Sequence, residues 1–181
     1  AERVYDESQR MISLVEDLMR ISRLDEGAED VERVPLSLME LAEDAVKRLK
    51  PSAEEKNISL NISGDSGALT GVKPLLSELV YNLCDNAIKY NRENGRVDIN
   101  IKEDEKRVVL SVSDTGIGIE HESLDRVFER FYRVDKSHSK AIGGTGLGLS
   151  IVKHAALLHG AGIELDSEPG KGTEVRVSFP V

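Results

Sequence analysis

The chain has 181 residues, 39% of them hydrophobic and 31% charged, with a net charge of −9. That length and balance exclude a disordered segment and a disulfide-dependent miniature, because a core can be buried without staples. The acidic balance excludes a nucleic-acid surface, which needs a basic stripe, and the lone Cys84 excludes an internal disulfide.

Residues 1–26 read as one amphipathic helix. Val4, Met11 and Leu18 recur every seven residues and Leu14 and Ile21 interleave, with Val15 beside them. This makes an a/d seam over about three heptads, broken at Glu7. An ordinary surface helix would also read this way, but polar flanks on so narrow a seam favour a helical partner. Gly27 ends the helix, and 27–35 reads as an acidic linker. No apolar run approaches the roughly 18 residues of a membrane span, residues 1–20 lack a signal peptide's layout, and the opening at Ala1-Glu2 inside a pattern reads as a fragment.

From Pro35 the pattern becomes that of a mixed domain. A helix is predicted over 38–55, bent or ended by Pro51, then a strand over 58–62. A long helix follows over 72–90, with Leu75, Leu76, Leu79, Val80, Leu83, Ala87 and Ile88 at helical spacing. Asn94-Gly95 turns the chain into strands at 97–102 and 107–113, a hairpin. Residues 120–131 read as a helix, 132–141 as a polar mobile segment, 145–158 as a helix, and 160–167 with 173–180 as a last hairpin around Pro169-Gly170. The class is α+β, a mixed sheet covered by helices on one face, without internal repeats.

Glycines cluster at 114–118, 143–148 and 170–172. The second cluster precedes a good helix, so its N–H groups could hold a phosphate, although a loop needing positive φ reads the same way. A P-loop fails for want of Gly-Lys-Ser/Thr, and a dinucleotide fingerprint fails because Leu stands at 149 and no strand precedes the cluster. The preceding helix adds a second signal. Glu78, Asn82, Asp85 and Asn86 lie on one face of an otherwise apolar helix. Buried amides need partners, and a hydrated Mg²⁺ carrying a triphosphate would satisfy them; amides bridging neighbouring backbone are the plain alternative. Lys89 and Tyr90, one turn on, can offer a nucleotide a cation and a ring.

These residues resemble a known family. Asn82-Leu83-Cys84-Asp85-Asn86-Ala87-Ile88-Lys89-Tyr90 looks like the N box of sensor histidine kinases, and Asp114-Thr115-Gly116-Ile117-Gly118-Ile119 resembles their G1 box. Phe128-Glu129-Arg130-Phe131-Tyr132-Arg133 resembles their F box, Gly144-Thr145-Gly146-Leu147-Gly148-Leu149 their G2 box, and Gly170-Lys171-Gly172-Thr173 their last glycine motif. Each motif alone is weak, but all of them in the family's order are specific. Residues 1–34 resemble the second helix and linker of the dimerisation and phosphoacceptor domain, and 35–181 the catalytic domain.

The resemblance implies the Bergerat ATP-binding fold, a two-layer α/β sandwich, with ATP and Mg²⁺ as ligands. By position, Asn86 would ligate Mg²⁺, Asn82 would lie near the phosphates, Lys89 would reach them, and Tyr90 would pack on adenine. Asp114 would accept from the adenine amino group, with Gly116 and Gly118 letting the base approach the backbone. Arg133 would reach the γ-phosphate, and Gly144, Gly146 and Gly148 would hold phosphates at a helix start. Ile119, Phe131, Thr145, Leu147, Leu149 and Thr173 would complete the nucleotide site, with Asn82, Lys89 and Arg133 serving catalysis.

The family phosphorylates a histidine on a helix before the one at residues 1–26, and no His precedes His121. His121-Glu122 lacks the acceptor's context, and His154 and His159 do not share a helical face, so neither an acceptor nor a zinc pair is expected. Lys136 and Lys140 could steer phosphate from the lid, residues 132–143, a solvated mobile loop being the plainer reading. The resemblance implies an ATP-dependent histidine kinase that hands its phosphoryl group to a response-regulator aspartate. Its parent would be a homodimer anchored in a bacterial membrane, with this domain in the cytoplasm. A serine kinase of the anti-sigma type, or a nucleotide-binding module without transfer activity, are the alternatives.

Overall fold

The computed structural model describes residues 32–134 and 145–181, together with Ser8, Met11, Ile12 and Val15. The remainder of the predicted N-terminal helix, the linker to residue 31, the predicted lid from 135 to 143 with Lys136 and Lys140, and Gly144 lie outside the described residues.

The chain runs β1 (Val34–Ser37), α1 (Leu38–Glu55), β2 (Ser59–Gly64), β3 (Ala68–Gly71), α2 (Lys73–Lys89), β4 (Arg96–Glu103) and β5 (Arg107–Asp114). A 3₁₀ turn (His121–Ser123), α3 (Gly148–Leu158), β6 (Gly162–Glu168) and β7 (Gly172–Pro180) follow among the described residues. A five-stranded sheet has the order β2-β4-β5-β7-β6. Its β2–β4 pair is parallel and the other pairs are antiparallel, so the sheet is mixed, as expected.

Alternation decides which face is covered. Val97, Ile99, Ile101, Val108, Leu110, Val112, Val175, Val177 and Phe179 point inward and are buried, while Asp98, Asn100, Ser111 and Arg176 take the other face. The helices supply the second layer through Leu38, Ala42, Ala45 and Leu49 of α1, Leu76, Leu79, Val80 and Leu83 of α2, and Val152 and Ala155 of α3. Ser37 caps α1, its Oγ accepting from the Glu40 N–H. No helix among the described residues is long and apolar enough to cross a membrane.

Several expectations need correction. α1 has the bounds expected of it, 38–55, but Pro51 does not end it: the helix runs on to Glu55. The proline sits on the exposed side while Leu49 and Ala53 stay buried on either side of it, so packing carries the helix past one missing N–H. The predicted helix at 120–131 is a 3₁₀ turn followed by tight turns. Bonds from Arg126 to Ser123, Glu129 to Arg126 and Tyr132 to Glu129 each span three residues. Ser123 and Asp125 favour such local bonding, and only Ser123 and Val127 are buried there. The helix expected from Thr145 starts at Gly148, because Gly146 turns left-handed at φ 74°. Four-residue β1 and β3, which pair antiparallel, are additional to the predicted strands.

Candidate functional site

The polar face of α2 and the amino end of α3 meet at one glycine. A Cβ at Gly148 would lie 3.1 Å from Asn82 Oδ1 and 3.3 and 3.4 Å from the amide nitrogen and oxygen of Asn86. Only a residue without a side chain lets the helix start approach these amides so closely. Asn82 is buried, and its Nδ2 donates back to the Glu78 carbonyl at 2.7 Å, which leaves Oδ1 facing Gly148. Leu147, in the N-cap position of α3, gives no side-chain cap bond, and Ile151 is the residue whose N–H returns to the Leu147 carbonyl. The first turn of α3 therefore opens with N–H groups beside two amides, a setting for an anion. Leu147 is fully buried with Ile151 in a small cluster of its own, and Leu149 packs on the main core.

The second half of the site hangs on the end of α2. Ile117 donates to the Tyr90 carbonyl at 3.0 Å, and Gly116 donates to Asp114 Oδ1 at 2.7 Å. The Thr173 N–H reaches the same carboxylate across the β5–β7 ladder, where Asp114 and Thr173 are partners. Burial nonetheless dominates and pushes the Asp114 pKa up to about 6, the two backbone donors opposing it. Gly118 faces the Glu168 carbonyl, and Ile117 accepts from the Gly170 N–H at 2.8 Å, so the two glycine loops lie against each other. Ile119 donates to Ser167 Oγ at 2.9 Å.

Other predicted residues are placed differently from one another. Lys89 forms an ion pair with Asp85 at 2.6 Å rather than projecting free. Phe131 is 56% exposed, and its N–H donates to the Gly146 carbonyl at 2.9 Å. Arg133 and Thr145 are half-buried. His159 is buried, as a packing residue should be: its Nε2 accepts from the Val72 N–H at 2.9 Å, so Nδ1 carries the proton and donates to the Ala155 carbonyl at 2.7 Å.

Residues that sequence reasoning passed over hold the site together. Asn91 is buried, its amide donating to the Arg96 carbonyl and accepting from Arg92 N–H and Thr115 Oγ1. Lys56 Nζ donates to the carbonyls of Ile88 and Lys89 at 3.2 and 2.6 Å. Ser167 joins Ile119 to Gly172 and Thr173. The signal for Asn91 was its place directly after Tyr90; Lys56 and Ser167 carry none that is local.

The model of the family described as histidine kinase-, DNA gyrase B-, and HSP90-like ATPase matches residues 71–181. Sensor-like histidine kinase SenX3 of Mycolicibacterium smegmatis is 39% identical over 184 residues, covering 99% of this chain and 47% of the relative. Sensor histidine kinase WalK of Bacillus subtilis is 34% identical over 178 residues, covering 97% of this chain and 29% of the relative. The chain thus spans less than half the length of each. Among solved structures, full-length ShkA in complex with AMPPNP matches with a TM-score of 0.81 at 28% identity, over 96% of this chain and 36% of that one. The mycobacterial sensor histidine kinase MprB matches with a TM-score of 0.71 at 27% identity, over 82% of this chain and 97% of that one.

Proposed function

The chain belongs to the histidine kinase-, DNA gyrase B-, and HSP90-like ATPase family, and from that premise we propose that it is the ATP-binding catalytic part of a sensor histidine kinase. The observation that carries this reading is the meeting of Asn82 and Asn86 with Gly148 at the uncapped start of α3. A triphosphate suits that place, since helix N–H groups and amides meet it together. Residues 35–181 would be the catalytic domain, and 1–34 the second dimerisation helix and linker. The exposure of Met11 and Val15, 63% and 55%, suits a helix that awaits a partner.

ATP is the substrate. Asp114 accepts from the adenine amino group, Tyr90, Gly116, Gly118, Ile119 and Thr173 enclose the base, and the start of α3 from Gly146 to Leu149 takes the phosphates. Arg133, with Phe131 and Thr145 beside the lid, offsets charge on the transferring group. Lys89 serves the phosphates by exchanging Asp85 for them. A set of amide oxygens at Asn82 and Asn86 fits Mg²⁺, a cation that takes oxygen ligands. Mg²⁺ held there, chiefly by Asn86, would supply neutralising charge to the phosphates. The acceptor imidazole nitrogen of the dimerisation helix attacks the γ-phosphorus, the bond to the β-phosphate oxygen breaks, and ADP leaves. An acidic neighbour of that histidine takes its proton, and a receiver-domain aspartate takes the phosphoryl group next.

Calorimetric titration tests the site. Asn86→Ala should weaken binding of ATP with Mg²⁺ while barely changing binding of ATP in chelator. Equal loss under both conditions contradicts the metal-ligand role, and no binding by the wild type contradicts the whole reading. Transfer of label from ATP to a separately supplied acceptor helix tests the reaction.

A further inference from the structure

Ser167 has one proton and two lone pairs, and three polar neighbours meet its Oγ. The Ile119 N–H lies at 2.9 Å, the Gly172 carbonyl at 3.0 Å and Thr173 Oγ1 at 2.8 Å. The N–H can only donate and the carbonyl can only accept. All three contacts are satisfied together in one arrangement: Ser167 donates to Gly172, and the Thr173 hydroxyl donates to Ser167. The Thr173 proton is then spent, so its oxygen offers only lone pairs to a further group. Thr173 also stands beside the Asp114 carboxylate, to which its N–H donates.

We propose that Ser167 is a positioning residue that sets base specificity, holding the Thr173 hydroxyl as an acceptor so that Asp114 and Thr173 form a corner of acceptors alone. This rests on the ATP reading above. An exocyclic amino group brings two N–H donors to such a corner. A 6-oxo purine brings an oxygen, which would be opposed by two acceptors stripped of water. Without the Ser167 hydroxyl, Thr173 regains a free proton and can turn it towards that oxygen. Ser167 therefore acts through Thr173 and need not touch the nucleotide.

The test compares ATP with inosine triphosphate, which carries oxygen in place of the 6-amino group and a proton on N1, by calorimetric titration of the full chain. Wild type should prefer ATP. Ser167→Ala should narrow that preference by about tenfold, the worth of one hydrogen bond, chiefly by gaining affinity for the inosine nucleotide. Ser167→Thr, which keeps a hydroxyl, should restore the wild-type ratio. Thr173→Val provides a route independent of how well Ser167→Ala folds, and it should lose more affinity for ATP than for inosine triphosphate. An equal loss for both nucleotides in Ser167→Ala, or in Thr173→Val, overturns the inference and leaves the ATP site standing. Failure of the wild type to bind either nucleotide removes the ATP site and the inference with it.

Discussion

Phe131 and Gly146 are joined by a 2.9 Å bond from the Phe131 N–H to the Gly146 carbonyl, and both are left-handed, at φ 65° and 74°. For a bulky residue this backbone costs about 1–2 kcal/mol, and the 56% exposed ring recovers little of it by burial. The join brings the F-box segment, with Arg133, against the glycine loop that opens α3.

Gly146→Ala should break that join. A Cβ there would lie 2.8 Å from the Phe131 carbonyl carbon and 2.9 Å from the Tyr132 carbonyl oxygen, at a φ that alanine resists. The expected outcome is an ATP affinity at least about tenfold lower, with a stability loss of about 1–2 kcal/mol. Titration and urea unfolding of the same sample measure both. Wild-type affinity with reduced stability would mean that the join serves folding alone.

Asp114 trades stability for recognition. Burial raises its pKa to about 6, so the folded chain holds this proton more tightly than the unfolded one. The stability it contributes is complete below the unfolded value, near 4, and is lost as pH rises through about 6. Asp114→Asn cannot ionise, so its stability relative to wild type should improve between about pH 4 and pH 7.5, while its ATP affinity falls. Urea midpoints at the two pH values check the sign; a gap independent of pH would refute it.

His159 has the opposite sense. Burial, foremost, and Arg33 lower its pKa, against the opposing Ala155 carbonyl. Protonating Nε2 would set one N–H against that of Val72, and among the described residues the ring's hydrogen-bond and ring partners are Val72, Ala155 and Phe179, with no carboxylate. Its contribution is therefore complete above about pH 6.5 and declines as pH falls through its lowered value. His159→Gln should be less stable than wild type at pH 7.5, and the difference should shrink by about pH 5. The same unfolding series reads this, since Asp114 is unchanged in both proteins.

Local pattern made much of this legible. Leu38–Glu55 followed from helical spacing, and the β4–β5 and β6–β7 hairpins from alternation bounded by turns. The face shared by Asn82 and Asn86 was readable because helix geometry is fixed, and their meeting with Gly148 adds what only tertiary structure can. Short β1 and β3 escaped because each is defined by its partner, Val34 opposite Gly71 and Ser37 opposite Ala68, and not by its own alternation. The pairing of Lys89 with Asp85 competes with a ligand that sequence reasoning had given to Lys89. Ser167 is an ordinary strand serine until Ile119 and Thr173 are brought to it.

Lys56 is the support that most directly links folding to the site. It lies just past α1, yet its ammonium caps α2 through the Ile88 and Lys89 carbonyls. These belong to the negative end of the helix dipole, where a cation is worth roughly 0.3–1 kcal/mol, and up to about 2 when partly buried. The next carbonyl, that of Tyr90, accepts from Ile117 and so hangs the Asp114–Gly118 loop on the helix end. Lys56→Met keeps the stem and deletes the charge, so it should cost about 1–2 kcal/mol in urea unfolding and weaken ATP binding severalfold. Lys56→Arg should recover part of both, because a guanidinium can still donate to carbonyls though its fork fits this pair less well. If Lys56→Met loses stability but keeps wild-type ATP affinity, the loop is held by its own bonds to Asp114 and Ser167, and the cap serves only the helix.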